Sequence, residues 1–287
     1  MDISVIIVNY NTRKTTQECI DSVFKQTTGI EFEIILIDNA STDDSKFYFE
    51  ADKRITYVYS YENMGFGRAN NVGMMLANGN FIFLLNSDTL LVNNAIKEFF
   101  DYAKSQGKND IYGCWLEDLN GDPIHSYNGE NSCINELFRV FKWMRGKKNK
   151  SDENRNSILS VSHITGADLF FSSNIYHQTR GFDHNFFMYF EETDLQDRAR
   201  LFGTQCILLP MPRIIHLEGG SQYKSRLPSL KKSKMWNKSM FYYYRKHSSF
   251  VSYFIFRILY IFIHGPITLL RYWNHHPFAQ FYTLIKP

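Results

Sequence analysis

A carboxylate stands directly behind an apolar run in the segment FIFLLNSD, residues 81–88. A buried carboxylate without a partner costs several kcal/mol, so we expect Asp88 at the end of a strand, within reach of a cation or a donor. Proteins hold Mg²⁺ or Mn²⁺ with one or two carboxylates plus phosphate oxygens, and Asp88 suits that chemistry. The alternative is a turn in which Asn86 and Asp88 cap the next helix.

Two adjacent acids, Glu191 and Glu192, open the helical segment EETDLQDRAR. A carboxylate at a helix start in a semi-enclosed site can remove a proton from a hydroxyl group. Acids there also suit the helix dipole without any catalysis. We expect Asp194 to orient Arg198 or to cap the helix.

His216 ends the apolar run RIIH. A neutral imidazole beside a carboxylate can ligate Mn²⁺ or Mg²⁺, and a hydrogen-bonded core histidine is the alternative.

The elements that must position these residues alternate between apolar runs and helix-length segments up to about residue 108. Strands that are almost continuously apolar predict a parallel sheet covered on both faces, and therefore an α/β doubly wound domain. Ligands of such sheets bind beyond the carboxyl ends of the strands, where polar residues follow each run. These strand-end residues are Asn9, Asp38, Glu62, Asn63, Asn86 and Asp88.

Beyond residue 108 the alternation loosens. The sequence predicts a strand and hairpin in IYGCWLEDLNGDPIHSYNG, a charged, mobile loop at residues 139–157 and a strand in HITGADLFFSS. Two further short strands are expected in TQCILLP and RIIHLEGGS.

Composition is that of a globular protein, with 44% hydrophobic and 21% charged residues among 287. Four scattered cysteines without a CxxC pair suggest neither a zinc site nor a disulfide framework, and favour a reducing compartment. The start, MDISVIIVNYN, lacks the pattern of a signal peptide, so we expect a cytoplasmic protein.

The C-terminal residues differ from the rest in charge. Residues 221–287 contain eleven Lys and Arg and no Asp or Glu, whereas residues 1–220 carry 21 basic and 29 acidic residues. The stretch 250–273 is apolar and aromatic, but Arg257, His264, Gly265–Pro266 and Arg271 interrupt it. We expect two amphipathic helices, broken at Gly265–Pro266, lying on an anionic membrane surface rather than spanning it. A homodimer interface is the alternative, and nucleic-acid binding is disfavoured.

Seven segments together resemble inverting glycosyltransferases of family 2, with a rhamnosyltransferase-like branch as the nearest likeness. They are VIIVNYN, IDNASTDDS, ENMGFGRANNVG, LLNSDT, GADLFF, FFMYFEETDL and IHLEGGS. The resemblance implies a GT-A fold, a Rossmann-like, mostly parallel sheet flanked by helices. It places that domain in residues 1–221, with a nucleotide-sugar half (1–108) and an acceptor half (109–221). Residues 222–287 form a C-terminal helical, basic and aromatic extension.

The resemblance also assigns roles to single residues. NSD stands in the place of the family's DxD motif, so that Asp88, with His216, binds Mg²⁺ or Mn²⁺ on the donor's diphosphate. Glu192 takes the position of the catalytic base, with Glu191 as the fallback assignment. The implied nucleotide-binding residues are Asn9, Tyr10, Asn11, Asp38, Asn63, Arg68, Asn70, Asn86, Ser87, Gly220 and Ser221. From the residues alone, Asp38 could instead cap the loop at Ser41–Thr42, and Arg68 could lie on a solvated face.

The implied function is transfer of rhamnose or another hexose from a dTDP- or UDP-sugar to a hydroxyl of a lipid-linked saccharide, in bacterial surface polysaccharide synthesis. The protein would be peripheral on the cytoplasmic face of the inner membrane. Two alternatives stand beside this prediction. One is a non-catalytic, nucleotide-binding membrane partner with the same fold, and the other is a sugar-phosphate nucleotidyltransferase, whose glycine-rich phosphate loop is not visible in VIIVNYNTRKTT.

Overall fold

The computed structural model describes residues 1–144, 155–217 and 227–287. The chain divides into two compact units. The first lies within residues 1–129, 153–185 and 192–221, and the second within 130–152, 186–191 and 222–287. The second unit therefore contains the whole predicted extension together with two earlier segments.

The first unit is built on one mixed sheet of nine strands. The described strands are β1 (Ile3–Asn9), β2 (Phe32–Asp38), β3 (Thr56–Tyr59), β4 (Phe81–Asn86), β5 (Thr89–Leu91), β6 (Ile111–Glu117), β7 (Tyr127–Asn128), β8 (Leu159–Val161), β9 (His163–Ile164), β10 (Asp168–Ser172) and β11 (Cys206–His216). Two of them, β7 and β9, form a separate two-stranded sheet. The central strands of the large sheet run β3-β2-β1-β4 in parallel, and it continues through β10, β6, β11 and β5, with β8 paired to β11. Antiparallel pairs join β10 to β4 and to β6.

Helices cover both faces of this sheet because its strands are apolar on both sides. The described helices of this unit are α1 (Arg13–Gln26), α2 (Ser45–Glu50), α3 (Phe66–Leu76), α4 (Ala95–Gln106), α6 (Ser173–Thr179) and α7 (Glu191–Arg200). The first residue of α7, Glu191, falls in the second unit. Ile7 and Phe83 pack in one cluster with α1 and α4, whereas Ile6 and Leu84 pack in another with α3 and α7. This double coverage matches the doubly wound pattern that the sequence predicts.

The second unit is helical and contains α5 (Cys133–Met144), α8 (Leu230–His247), α9 (Phe250–Arg271) and α10 (Pro277–Ile285). Its core is aromatic, with Phe186, Phe190, Tyr244, Phe256 and Tyr260 all buried. α9 is long and apolar enough to cross a membrane by length and composition, with 22% of its most apolar window buried. Core helices of soluble proteins also reach this length and composition.

Three local predictions are wrong. The break expected at Gly265–Pro266 is absent, because α9 continues through both residues. A Cβ at Gly265 would lie 2.7 Å from Phe281 Cε2, so the glycine serves close packing of α9 on α10. The loop expected at 139–157 is helical at its start, since α5 extends to Met144.

The two strands expected in TQCILLP and RIIHLEGGS form a single strand, β11. Its pairing with β6 shifts register between Leu209 and Ile214. Pro210 and Pro212 lie in that interval, and since proline has no backbone N–H to donate, the ladder is interrupted there while the chain stays extended.

Candidate active site

The NSD segment forms the turn between β4 and β5, so Asp88 lies just beyond the carboxyl end of a central strand. His216 pairs with Thr89 at the end of β11, and the Leu217 backbone N–H donates to the Asp88 carbonyl oxygen at 2.8 Å. These contacts bring Asp88 Oδ1 within 3.2 Å of His216 Nε2, with about one sixth of each side chain exposed. The structure thus joins two residues that are 128 positions apart in sequence.

The 3.2 Å between Asp88 Oδ1 and His216 Nε2 is the length of a direct imidazole–carboxylate contact. It is also close to the spacing of about 3 Å between neighbouring ligands of an octahedral ion with bonds of about 2.1 Å, so these two residues could together bind a divalent cation. Within the described chain no group of three or more His, Cys, Asp or Glu could hold a metal. The remaining ligands would therefore come from phosphate oxygens and water, as is usual for Mg²⁺ at nucleotide sites.

Glu192 stands in the first turn of α7 and is partly buried. Burial raises the pKa of Glu192 above its usual value, and the nearby His163 opposes that shift. A carboxylate with a raised pKa is better matched to accepting a proton near neutral pH. Glu191, also buried, belongs to the second unit.

The rest of α7 is fixed by its own polar contacts. Gln196 donates to the Ile164 carbonyl at 2.8 Å and accepts from the Ile164 N–H at 2.7 Å, which ties the helix to β9. Arg198 Nε pairs with Asp194 Oδ2 at 2.8 Å, confirming the predicted role of Asp194 in orienting Arg198.

The turn between β9 and β10 connects Glu192 to the NSD segment. A Cβ at Gly166 would lie 3.6 Å from Glu192 Cβ, and the Ala167 carbonyl accepts the Asn86 N–H at 3.0 Å. One short turn thus lies beside the candidate base and is hydrogen-bonded to the strand end that precedes Asp88. The candidate acid-base and cation-binding groups therefore share one region of the first unit.

The residues just before α7 have a strained backbone. Tyr189 and Phe190 have φ of 73° and 66°, a left-handed conformation that costs non-glycine residues about 1–3 kcal/mol each. Within the second unit their rings pack on Trp236, with centroids 5.3 and 5.0 Å away. Aromatic packing thus holds a turn that the local sequence disfavours.

The loop after β1 is organised by amide side chains. Asn9 is buried, donates to Ser41 Oγ at 2.9 Å and accepts from the Thr16 hydroxyl at 2.8 Å. Asn11 has a φ of 55° and accepts from the Thr42 N–H at 2.7 Å. Asn9 and Asn11 therefore shape the strand-end crevice from within, and Tyr10 between them is exposed.

Asp38 is fully buried at the end of β2. Its carboxylate accepts from the Ser41 N–H at 2.9 Å and from the Tyr57 hydroxyl at 2.8 Å. The loop-capping role that the sequence left open is therefore present, and a contact from Asp38 to a nucleobase stays a prediction.

Asn39, next to it, was missed by sequence reasoning, although it stands in the quoted segment IDNAS. It donates to Asn63 Oδ1 at 3.1 Å and accepts from the Met64 N–H at 2.8 Å. Asn39 thereby links the loops after β2 and β3.

The remaining predicted nucleotide-binding residues lie at various places around these loops. Asn70 is buried and donates to the Phe66 carbonyl at 3.0 Å, whereas Arg68 is exposed and lies 3.5 Å from Glu62. Ser87 Oγ lies 3.4 Å from Thr12 Oγ1, connecting the NSD turn to the start of α1. Gly220 and Ser221 lie outside the described residues.

A second carboxylate, that of Asp168, lies beside the site, and the sequence patterns did not assign it a role. Asp168, at the start of β10, is fully buried and accepts from the Cys114 N–H at 2.7 Å. Burial raises the pKa of Asp168 to about 7, with the Cys114 contacts and His216 acting in the opposite direction. In the sequence, the one signal that could have identified Asp168 was its position as an acid inside the apolar run GADLFF.

Comparison with known proteins adds the following. Residues 4–166 match the model for "Glycosyl transferase family 2". Glycosyltransferase GlyG of Streptococcus pneumoniae serotype 4 is 29% identical over 141 residues, 47% of this chain and 46% of that protein. The low-salt glycan biosynthesis hexosyltransferase Agl10 of Haloferax volcanii is 24% identical over 203 residues, 69% of this chain and 62% of that protein. The matches thus span about half to three fifths of these relatives.

Two solved structures resemble this one. GalNAc-T7 with UDP, GalNAc and Mn²⁺ has a TM-score of 0.61 at 15% identity, covering 85% of this chain and 50% of that one. TarS 1-349 of S. aureus has a TM-score of 0.56 at 15% identity, covering 99% and 90%. Likeness at this identity shows the fold alone, and it confirms the predicted α/β architecture with C-terminal helices.

Proposed function

We propose that this chain, which belongs to glycosyl transferase family 2, transfers a hexosyl group with inversion from a nucleoside diphosphate sugar to a hydroxyl of a lipid-linked saccharide. The observation that carries the proposal is the β9–β10 turn, in which Gly166 lies beside Glu192 and the Ala167 carbonyl accepts the Asn86 N–H at the strand end before Asp88. A base and a cation site in one region are what displacement of a diphosphate by a hydroxyl requires.

In the proposed mechanism, Asp88 and His216 would hold a divalent cation at the ends of β4 and β11, and that cation would supply positive charge to the donor's diphosphate. Glu192 accepts the proton of the acceptor hydroxyl, whose oxygen bonds to the anomeric carbon as the bond from that carbon to the phosphate oxygen breaks. Attack opposite the leaving group inverts the anomeric centre.

For the donor we propose a dTDP- or UDP-sugar, with rhamnose as one candidate hexose. The crystallised neighbour GalNAc-T7 holds UDP, GalNAc and Mn²⁺, which supports a nucleotide sugar and a cation of this kind. For the setting we propose surface polysaccharide synthesis on the cytoplasmic face of the inner membrane. The basic extension and the exposed apolar residues of α9, among them Phe254, Ile258 and Phe262, support a membrane surface.

A donor panel tests the activity. Purified protein is incubated with dTDP-rhamnose, UDP-glucose, UDP-galactose or UDP-GlcNAc and Mg²⁺ or Mn²⁺, and nucleotide release is measured with and without a lipid extract. We expect one donor to release nucleotide faster with lipid, and release to stop with EDTA. Nucleotide binding without turnover of any donor would favour the non-catalytic alternative instead.

A further inference from the structure

A histidine that the proposed mechanism does not use lies beside α7. His163 of β9 is 3% exposed, and its Nε2 lies 2.8 Å from Asp197 Oδ1. Asp197 also pairs with Arg200, as expected of an ionised carboxylate. Because an ionised carboxylate only accepts, His163 Nε2 carries the proton of this contact.

The other ring nitrogen of His163 is unusual. Nδ1 is buried and has no hydrogen-bond partner among the described residues. Most buried polar atoms in native proteins have a partner, so an exception calls for an explanation. Another group nearby must offset the cost of burying this ring.

The register between β9 and α7 brings His163 near Glu192, within the first unit. The chain from His163 to Gly166 runs antiparallel to the helix from Glu192 to Asp197. His163 meets Asp197 at one end, Gly166 lies beside Glu192 at the other, and the Ile164 backbone is bound to the same helix between them. A helix rises about 1.5 Å per residue, so Glu192 and Asp197 are about 7.5 Å apart along its axis. A charge on His163 therefore acts on Glu192 within a Debye length of about 8 Å.

Glu192 is a residue that benefits from a positive neighbour. Burial raises the pKa of Glu192, while backbone N–H groups of the first helix turn and His163 act in the opposite direction. An ionised carboxylate away from water is unfavourable unless donors or an opposite charge compensate it. A protonated His163 and an ionised Glu192 would each offset the burial of the other.

The groups around His163 leave this pairing in place. The charged groups that face it come from α7, namely Asp197, Arg200 and Glu192. On β7, Asn128 pairs with His163 and is neutral. On β11, burial raises the pKa of the Cys206 thiol to about 12, so that this group is neutral as well.

We propose that His163 is a positioning residue for the candidate base: Asp197 holds it as an imidazolium, and its charge stabilises the ionised Glu192 that accepts the proton of the acceptor hydroxyl. The inference rests on the proposed transferase function. When the proton moves from the hydroxyl oxygen to the Glu192 carboxylate, His163 keeps the protons on both of its nitrogens. It acts by its charge and does not take up the proton itself.

NMR titration of protein labelled with ¹³C at the glutamate carboxyl groups measures the midpoint of Glu192 without donor or turnover. The Glu192 resonance is the one that Glu192→Gln removes. His163→Gln can still donate to Asp197 but carries no charge, so it should raise the Glu192 midpoint by roughly one pH unit. His177→Gln, at an exposed histidine of α6, is the matched control and should leave the midpoint unchanged. An unchanged or lowered midpoint in folded His163→Gln overturns the proposal.

The reciprocal titration keeps the test open if His163→Gln does not fold. In protein labelled with ¹⁵N-histidine, Glu192→Gln should lower the midpoint of His163 by the same amount, because the coupling between two sites is equal in both directions. A His163 midpoint that Glu192→Gln leaves unchanged overturns the proposal.

Activity separates this proposal from the transferase function. The acid limb of kcat/KM against pH should move up together with the Glu192 midpoint in His163→Gln, whereas a merely structural role would lower the rate at every pH without moving the limb. A limb that stays in place while the midpoint moves overturns the role of His163 in catalysis. Transfer by wild type with an unmoved midpoint overturns only this proposal. A moved midpoint in a protein that turns over no donor overturns the transferase function.

Discussion

At the scale of single residues, the candidate site combines a paired Asp88 and His216, a partly buried Glu192 and a fully buried Asp168. Sequence patterns indicated the first three, because polar groups that follow apolar strands stand out locally. Asp168 did not stand out, because its significance lies in burial and in a pKa raised to about 7, which only the packed structure defines.

Asp88→Ala removes the carboxylate that the cation would share with the diphosphate. We expect it to abolish the Mn²⁺-dependent part of UDP or dTDP binding, measured by calorimetry with and without EDTA, while the circular dichroism spectrum is unchanged. Asp101→Ala, an exposed acid on α4, is the control and should bind as wild type does. Identical affinities for wild type and Asp88→Ala under both conditions would remove Asp88 from the metal site.

Glu192→Gln keeps the size of the side chain but cannot accept a proton. Transfer should fall by roughly 10² or more with donor affinity retained. Because the base works only when ionised and its pKa is raised, wild-type turnover should decline with falling pH already above the usual carboxyl value of 4.5. A dead Glu191→Gln variant beside a nearly normal Glu192→Gln variant would move the base to Glu191.

Asp168 should make folding stability depend on pH. The pKa of Asp168 rises from 3.8 to about 7 on folding. The contribution of Asp168 to the free energy of unfolding is therefore fully present below pH 4 and is lost as pH rises through 7. The loss is at most about 4 kcal/mol, at 1.36 kcal/mol per pKa unit. Asp168→Asn cannot ionise, so the variant should gain stability relative to wild type between pH 5 and pH 8 in urea unfolding. A difference between the two proteins that does not change with pH would contradict this.

At the scale of elements, the sequence predicted the strands β1, β2 and β4 well, because burial on both faces demands nearly continuous apolar runs with polar ends. Patterns failed where distant packing overrides a local preference. Gly265 and Pro266 predicted a helix break, but the ring of Phe281 fills the space beside Gly265 and α9 continues through both residues. The position of Gly166 beside Glu192 was likewise beyond prediction, because it depends on how a turn and a helix dock.

Gly79, just before β4, offers a test of such docking. A Cβ there would lie 2.4 Å from the Ser4 backbone nitrogen, and a backbone neighbour cannot turn aside as a flexible side chain can. Gly79→Ala should therefore destabilise the first unit by about 2 kcal/mol or more in urea unfolding. Gly129→Ala, with nothing within 4 Å of its Cβ, is the control and should change stability little. Equal stabilities for the two variants would contradict the close contact.

At the scale of the whole molecule, the separation of charge gives the chain a basic, apolar C-terminal part. If it docks on a membrane, near-surface lysines each contribute on the order of 1 kcal/mol with anionic lipid. Wild type should float with vesicles of phosphatidylglycerol and phosphatidylcholine at low salt and detach as salt rises. The triple variant Lys231→Gln, Lys234→Gln, Lys238→Gln removes three exposed lysines of α8 and should stay in solution.

The competing outcome is a homodimer. A wild type that ignores these vesicles at low salt, but is a dimer that Phe254→Ser with Phe262→Ser makes monomeric, would show that the apolar residues form an interface between copies.

The strained turn at Tyr189 and Phe190 has a consequence for the time course of biosynthesis. A ribosome that has just made α7 has already supplied Glu192, but Trp236 and Tyr243, on which Phe190 packs, come much later in the chain. Because the ribosome adds roughly 5–20 residues per second, the turn lacks those aromatic partners for several seconds. A nascent or prematurely ended chain therefore carries Glu192 without the packing that fixes the backbone before it. The turn takes its fixed conformation only once α8 has been made.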